Sequence, residues 1–382
     1  MAGDPIRLAV VGAGWAGMRQ VEAAAELNDT MDTAPLEVTA LVDIAGDFAR
    51  KRAADAGIPT VYTDLADALA DDAIDAVSIC LPHHLHSISA LAAAEAKKHV
   101  LVEKPMAMNV DEGRGMMEAA AANGVVLFVA ENEVYHPMTQ HLRELVSAGT
   151  YVGEVTFAAM TTGFRSPGIR YPGRRDWLTD PSRGGTGMWM LQGIHTAALV
   201  RHTLGEVKSV YMTEHKAASF ERPELEGTMT GQFTLESGVG VWVAQTTETW
   251  LPGALNGWRI HGDEGSIIAN ADGFEVLSES LTHETFGVEL DEEMAAKAGQ
   301  HGQQFPPRPD IRSITMEYPP LEMSDYALEL KAFAETIRGT GGGPTTAVSE
   351  LRTLAVVQAG YESAAGAGVV DMAQRFPDLY EA

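Results

Sequence analysis

One stretch near the start of the chain restricts its fold more than any other. An unbroken apolar run, Ile6–Val11, leads directly into Gly12-Ala13-Gly14-Trp15-Ala16-Gly17, and a helical pattern continues from Trp15 to Leu27. A strand that ends in G-x-G-x-x-G and opens a helix has a narrow set of uses. The first glycine permits the tight turn, the second lets the backbone approach a pyrophosphate, and the third lets the helix pack close to the strand. The start of the helix then presents N–H groups and the positive end of its dipole to phosphate oxygens. Further apolar runs at Val38–Val42, Ile74–Leu81, Val100–Val102 and Val125–Val129 alternate with helical patterns at Phe48–Ala56 and Leu85–Lys97. Buried strands alternating with helices predict an α/β unit with a parallel, doubly wound sheet.

After Ala130 the pattern changes. A helical segment at His136–Ser147 precedes longer strand-like runs at Glu154–Met160, Val207–His215, Gly227–Leu235 and Val239–Thr246. Glu236-Ser237-Gly238 reads as a tight turn between the last two, and Gly262-Asp263-Glu264-Gly265 as a second hairpin between Trp258–His261 and Ser266–Asn270. These runs predict a mostly antiparallel sheet in a C-terminal α+β domain. Trp242, within a strand, is expected in the core. The polar stretch 281–320 reads as a long excursion, and helices at Ser324–Arg338 and Ser349–Ala364 close the chain. The expected division is a Rossmann nucleotide-binding domain over 1–131 and a second domain over 132–382. Two domains suit 382 residues of which 45% are hydrophobic.

A formal charge of −26 repels phosphate backbones, so nucleic acid is not an expected partner. No apolar run reaches membrane-spanning length, and the polar start lacks the features of a signal peptide. With one cysteine, Cys80, there is no internal disulfide, and a cytoplasmic location is expected. His83, His84 and His86 are badly spaced for a closed zinc site, and no metal is expected.

Asp43 closes the second strand and is followed by Ile44 rather than a basic residue. A carboxylate there accepts from ribose hydroxyls and repels a 2′-phosphate, which predicts NAD rather than NADP. Glu103-Lys104-Pro105 stands just beyond another buried strand, at the edge where ligands bind in open α/β sheets. His195 follows the glycine-containing run from Gly184 and suits proton transfer near neutral pH. Arg165, Arg170, Arg174 and Arg175 form a basic group that either recognises an anionic substrate or pairs with surface acids.

Beyond the glycine loop, Leu81-Pro82-His83-His84-Leu85-His86, Glu103-Lys104-Pro105, Asn132…Tyr135-His136-Pro137 and Trp177…Gly193-Ile194-His195 occur in one order. In these the chain resembles the Gfo/Idh/MocA oxidoreductases, the glucose–fructose oxidoreductase and inositol dehydrogenase family, over nearly its whole length. The resemblance implies NAD(P)-linked hydride transfer to or from a sugar, cyclitol or cyclic diol or ketone, with Lys104 and His195 at the reacting oxygen. It implies a cofactor site of Gly12, Ala13, Gly14, Trp15, Ala16, Gly17, Asp43, Leu81, Pro82, His83, His86, Glu103 and Lys104. It also implies a Lys104–Pro105 bond that is often cis, substrate contacts from Tyr135, Trp177 and Gln192, and an open-faced sheet that makes 132–382 a substrate and oligomerisation domain, through which a homodimer or homotetramer forms.

The chain departs from the family pattern in three places. Many relatives carry Asp four residues before the histidine and again three after it, where this chain has Leu191 and Ala198. The usual Arg of the Asn-x-Arg-aromatic-x-Pro segment is Val134. Lys104 is therefore expected to lack its carboxylate partner, and a more apolar or aromatic-ring substrate becomes possible. Two other uses of such a chain are an NAD-requiring glycosidase that oxidises its sugar transiently and a non-catalytic sensor. Retention of Lys104 and His195 weighs against the sensor.

Overall fold

The computed structural model describes residues 4–163, 173–184, 187–218, 224–249, 251, 256–270, 273–278 and 312–380. Its first part runs β1 (Ile6–Val11), α1 (Trp15–Thr30), β2 (Leu36–Val42), α2 (Gly46–Ala56), β3 (Thr60–Tyr62), α3 (Leu65–Leu69), β4 (Ala76–Ile79), α4 (His86–Glu95), β5 (His99–Glu103), α5 (Val110–Asn123) and β6 (Leu127–Ala130). The six strands form one sheet in the order β3-β2-β1-β4-β5-β6, with every pair parallel. From β1 the chain steps outward to β2 and β3, then returns to the other side of β1 at β4. The carboxyl ends of β1 and β4 therefore flank the point where the winding reverses, and a crevice opens there. Leu8, Val10, Val77, Leu101 and Phe128 are fully buried, as strands covered on both faces require.

The second part adds α6 (Pro137–Ala148), β7 (Val155–Gly163), α7 (Ile194–Leu204), β8 (Val207–His215), β9 (Thr228–Leu235), β10 (Gly240–Thr246), β11 (Gly257–Gly262), β12 (Gly265–Asn270), β13 (Gly273–Ser278), β14 (Arg312–Met316), α8 (Asp325–Arg338), α9 (Ala347–Glu362) and β15 (Val370–Asp371). Nine strands form a sheet in the order β14-β13-β12-β11-β7-β10-β9-β8-β15. It is mostly antiparallel, with β7 and β10 parallel. The predicted hairpins are present as β9–β10 and β11–β12.

Helix α9 packs against β8 on one face of this sheet. The opposite face carries Phe157, Tyr211, Trp242, Ile268 and Leu277 in exposed positions. Trp242 is 63% exposed and so is not a core residue as expected, whereas Trp258, on the other face, is fully buried. Period-two alternation identifies the two faces of a strand but not which one the helices cover. Phe157 lies between Trp242 and His261, stacked on the histidine with ring centroids 4.4 Å apart.

Part of the expected excursion is regular structure. Arg312–Met316 pairs with β13 as the edge strand of the sheet, and Ile314 and Met316 pack against the core. The basic group is only partly described: Arg165 and Arg170, and the side chains of Arg174 and Arg175, lie outside the described residues. Helix α8 packs on α1, with Ala327, Leu330 and Phe333 in the same apolar cluster as Leu8, Val10 and Leu27. Gln20 donates to Glu329 at 3.1 Å across this joint, and the Ser324 backbone N–H donates to Glu26 at 2.7 Å. Among the described residues no helix is long and apolar enough to cross a membrane.

Candidate active site

The glycine loop occupies the crevice between β1 and β4. Gly12 has φ +105, and a Cβ there would overlap the carbonyl oxygen of Cys80 just after β4. A Cβ at Gly17 would overlap the carbonyl of Gly12, so the third glycine sets how closely α1 approaches the turn. Nothing lies within 4 Å of the corresponding position at Gly14, which leaves open space above the loop. Helices α5, α8 and α9 are capped by Asn109, Ser324 and Thr346, but α1 starts at Gly14 with no side-chain cap. Uncapped N–H groups beside open space suit a pyrophosphate. Trp15 is exposed and Ala16 half-buried at the first turn. Asp43 accepts from the backbone N–H of Ala13 at 2.9 Å and of Ala45 at 2.8 Å, so its carboxylate bridges the glycine loop and the turn after β2.

Strands β5 and β6 supply the next two groups. They pair so that Glu103 lies opposite Ala130, and the residues that follow are Lys104 and Glu131. Both leave the sheet at its carboxyl edge. The Lys104–Pro105 bond is cis. The Lys104 ammonium donates to the backbone carbonyl of Leu191 at 2.8 Å. Leu191 lies in a wide helical turn, Trp189–Gly193, that runs straight into α7 and so into His195. The carbonyl of Leu191 thus takes a hydrogen bond at the place where the resemblance implies an aspartate.

His195 shares a hydrogen bond of 2.5 Å with Glu131, from Nδ1 to Oε1. The Glu131 side chain is fully buried and that of His195 is 12% exposed. Burial, reinforced by the charge of Lys104, pushes the imidazole down to about 3. Burial, with Glu350 close by, raises the Glu131 carboxyl to about 8. Lys104 is lowered by burial and supported by Glu131, Glu103 and Glu133. The acids nearest in effect to Lys104 thus stand on β5 and in the turn after β6, while its hydrogen bond goes to a backbone carbonyl. Glu103 rises to about 7, again through burial.

Glu131 was not among the residues expected from sequence. A signal was available: an acid directly after a buried apolar strand, one strand along from the lysine. Its partner is 64 residues away, and no local spacing reveals the pairing.

Of the remaining expected residues, those after β4 stand beside the same edge, and Tyr135 does not. Leu81 and Pro82 are half-buried just after β4. His86 is fully buried between two backbone carbonyls, those of Pro105 and Leu81, each 2.8 Å from a ring nitrogen. His83 meets the carbonyl of Gly184 at 2.6 Å and packs edge-on against Trp177, with centroids 4.8 Å apart. Together they join the turn after β4 to the segment that leads to His195. Gln192 is half-buried in the wide turn. Tyr135 is buried in the core, with its hydroxyl 3.1 Å from that of Thr345. Val134 and Ala198 are fully buried, and Leu191 packs beside Met188 and Leu225.

Comparison with known proteins accords with this geometry. A family profile described as an oxidoreductase family with an NAD-binding Rossmann fold matches residues 6–131, and one described as the GFO/IDH/MocA C-terminal domain matches 139–268. The chain is 28% identical over 320 residues to D-xylose 1-dehydrogenase (NADP(+)) 2 of Haloferax volcanii, covering 83% of this chain and 86% of that one. It is 38% identical over 139 residues to scyllo-inositol 2-dehydrogenase (NADP(+)) of Bacillus subtilis, covering 36% and 40%. Levoglucosan dehydrogenase in complex with NADH and levoglucosan has the same fold, with a TM-score of 0.79 at 20% identity, covering 97% of this chain and 100% of that one.

Proposed function

The chain belongs to the Gfo/Idh/MocA family and is an NAD(P)-binding oxidoreductase, and from that premise we propose that it transfers hydride between nicotinamide and a CH–OH group of a sugar, cyclitol or cyclic diol. The observation that supports this most is the meeting of Lys104 and His195 at the carboxyl edge of β5, through the Lys104 bond to Leu191 one turn before the histidine. When bound, the nicotinamide accepts or supplies the hydride. The protein's part is to hold the alcohol and move its proton.

While Glu131 is ionised it accepts Nδ1–H, and an imidazole kept neutral by burial then has a free nitrogen at Nε2. His195 is then the base in oxidation and the acid in reduction. The ammonium of Lys104 has three N–H groups, of which Leu191 takes one, and it stabilises negative charge on the reacting oxygen. The glycine loop, Asp43, Leu81, Pro82, His83, His86 and Glu103 form the cofactor side of the cleft, and Trp177 and Gln192 its substrate side. We assign NAD as the preferred cofactor on Asp43 and on Ile44, which is 93% exposed beside it. We place the division between nucleotide and substrate parts after residue 131.

The test is a turnover assay with D-xylose, myo-inositol and levoglucosan, each with NAD+ and with NADP+. Net accumulation of reduced nicotinamide is expected with at least one pair. Release of a cleaved sugar without such accumulation would instead indicate a glycosidase cycle. His195→Asn should lower kcat about a hundred- to ten-thousand-fold, and Lys104→Met about a hundred- to a thousand-fold, with cofactor affinity little changed. Because both act on one oxygen, the double variant should lose less than the product of the two. Near-native turnover and an unchanged pH profile in His195→Asn would remove the histidine from the reaction.

A further inference from the structure

His195 faces an electrostatic difficulty as a base. Taking a proton at Nε2 while keeping Nδ1–H would make a buried imidazolium beside the ammonium of Lys104, and both burial and that charge oppose it. Glu131 is placed to remove the difficulty. Its Oε1 lies 2.5 Å from Nδ1, and its Oε2 is buried with no hydrogen-bond partner among the described residues. A buried carboxyl oxygen in that position either lacks a bond or carries the proton itself.

We propose that Glu131 works through His195 as the second half of a two-group proton acceptor, so that the imidazole passes the substrate's proton on and never becomes a cation. The proposal rests on the reading of His195 as the acid–base group. In oxidation the substrate O–H bond breaks and its proton bonds to Nε2. The Nδ1–H bond breaks in concert, and that proton bonds to Oε1 of Glu131. A bound nicotinamide would supply the acceptor for the carbon-bound hydrogen and its electron pair, so that the C–O bond becomes C=O. The imidazole is neutral before and after, having exchanged one tautomer for the other, and the carboxylate has become a carboxylic acid. Reduction runs the same steps backward.

The groups facing the pair set the pH at which this works. Lys104 at the end of β5 and His202 on α7 favour the ionised Glu131, while burial and Glu350 on α9 disfavour it. Glu103 and Glu133 complete the charged surroundings of the lysine. With the carboxyl raised to about 8, the acceptor is ready above that pH and already loaded below it. Oxidation should therefore quicken as pH rises through about 8, and reduction should quicken as it falls.

Glu131→Gln tests this, since its amide oxygen still accepts Nδ1–H but cannot take the proton. With the best of the three sugar probes and NAD+, the variant should lose about a hundredfold in kcat with KM little changed. Its oxidation profile should also lack the inflection near pH 8. Histidine-labelled protein without cofactor gives a second readout. The His195 Nδ1 proton resonance should titrate near pH 8 in the native protein and stay fixed in Glu131→Gln. A variant with native kcat and an intact inflection would overturn the proposal while leaving His195 in place. Near-native turnover in His195→Asn would overturn the reading beneath it. Should Glu131→Gln not fold, the native protein decides: a His195 Nδ1 proton resonance that titrates near pH 8 supports the relay, and one that does not move through that pH refutes it.

Discussion

Asp43 shows how one side chain can carry two duties. Its oxygens hold the backbone N–H groups of Ala13 and Ala45, so the carboxylate that would meet a ribose also fixes the glycine loop in place. Calorimetric titration should find NAD(H) bound more tightly than NADP(H). In Asp43→Ala the gap should narrow, because a repulsive charge is gone, and both affinities should fall, because Ala13 loses its acceptor. Tighter NADP(H) binding by the native protein would refute the assignment. Asp43 could be anticipated because its task follows from its place at the end of β2. Glu131 ends β6 in the same way, but its task depends on a ring carried by a helix of the other part, and nothing in the strand pattern brings the two together. For Lys104 and Leu191 the sequence shows a missing acid without showing that a backbone carbonyl stands in for it.

Among elements, the contact of α1 with α8 holds the most unusual chemistry. Glu329 is fully buried against Gln20, and its Oε2 has no hydrogen-bond partner among the described residues. Burial, and Glu103 nearby, hold its carboxyl well above the ordinary range. The folded protein thus keeps a proton that the unfolded chain, with a carboxyl near ~4.3, releases. That contribution is complete below the unfolded value and is lost as pH rises toward the folded one. Thermal unfolding from pH 5 to pH 9 should show Tm falling with pH in the native protein, and Glu329→Gln should flatten that fall. An identical slope in the variant would show that the carboxyl is not the source. Elements with strong period-two or continuous apolar patterns were legible from sequence. Those with little contrast were not: the inner positions of α5 include Gly113 and Ala120, and β14 follows a long polar tract.

At the scale of the whole molecule, the outer face of the nine-stranded sheet raises the question of assembly. Phe157, Trp242, Tyr211, Ile268 and Leu277 stand exposed on it, and an apolar face of that kind is normally covered. We expect a homodimer or homotetramer through this face, strengthened by salt because each chain carries a charge of −26. Sedimentation of the native protein should show more than a monomer at micromolar concentration, and Trp242→Glu should shift it to monomer without altering the fold. Assembly unchanged by that substitution would move the interface elsewhere. The return of α8 to α1 has a consequence for the chain as it is being made. The apolar cluster of Leu8, Val10 and Leu27 also contains Ala327, Leu330 and Phe333, so this part of the nucleotide-binding unit is not covered when residue 131 leaves the ribosome. It must wait for roughly 200 further residues, on the order of 10–40 s of synthesis. During that time the surface of α1 that awaits α8 is open, and it is there that a chaperone would find the nascent chain.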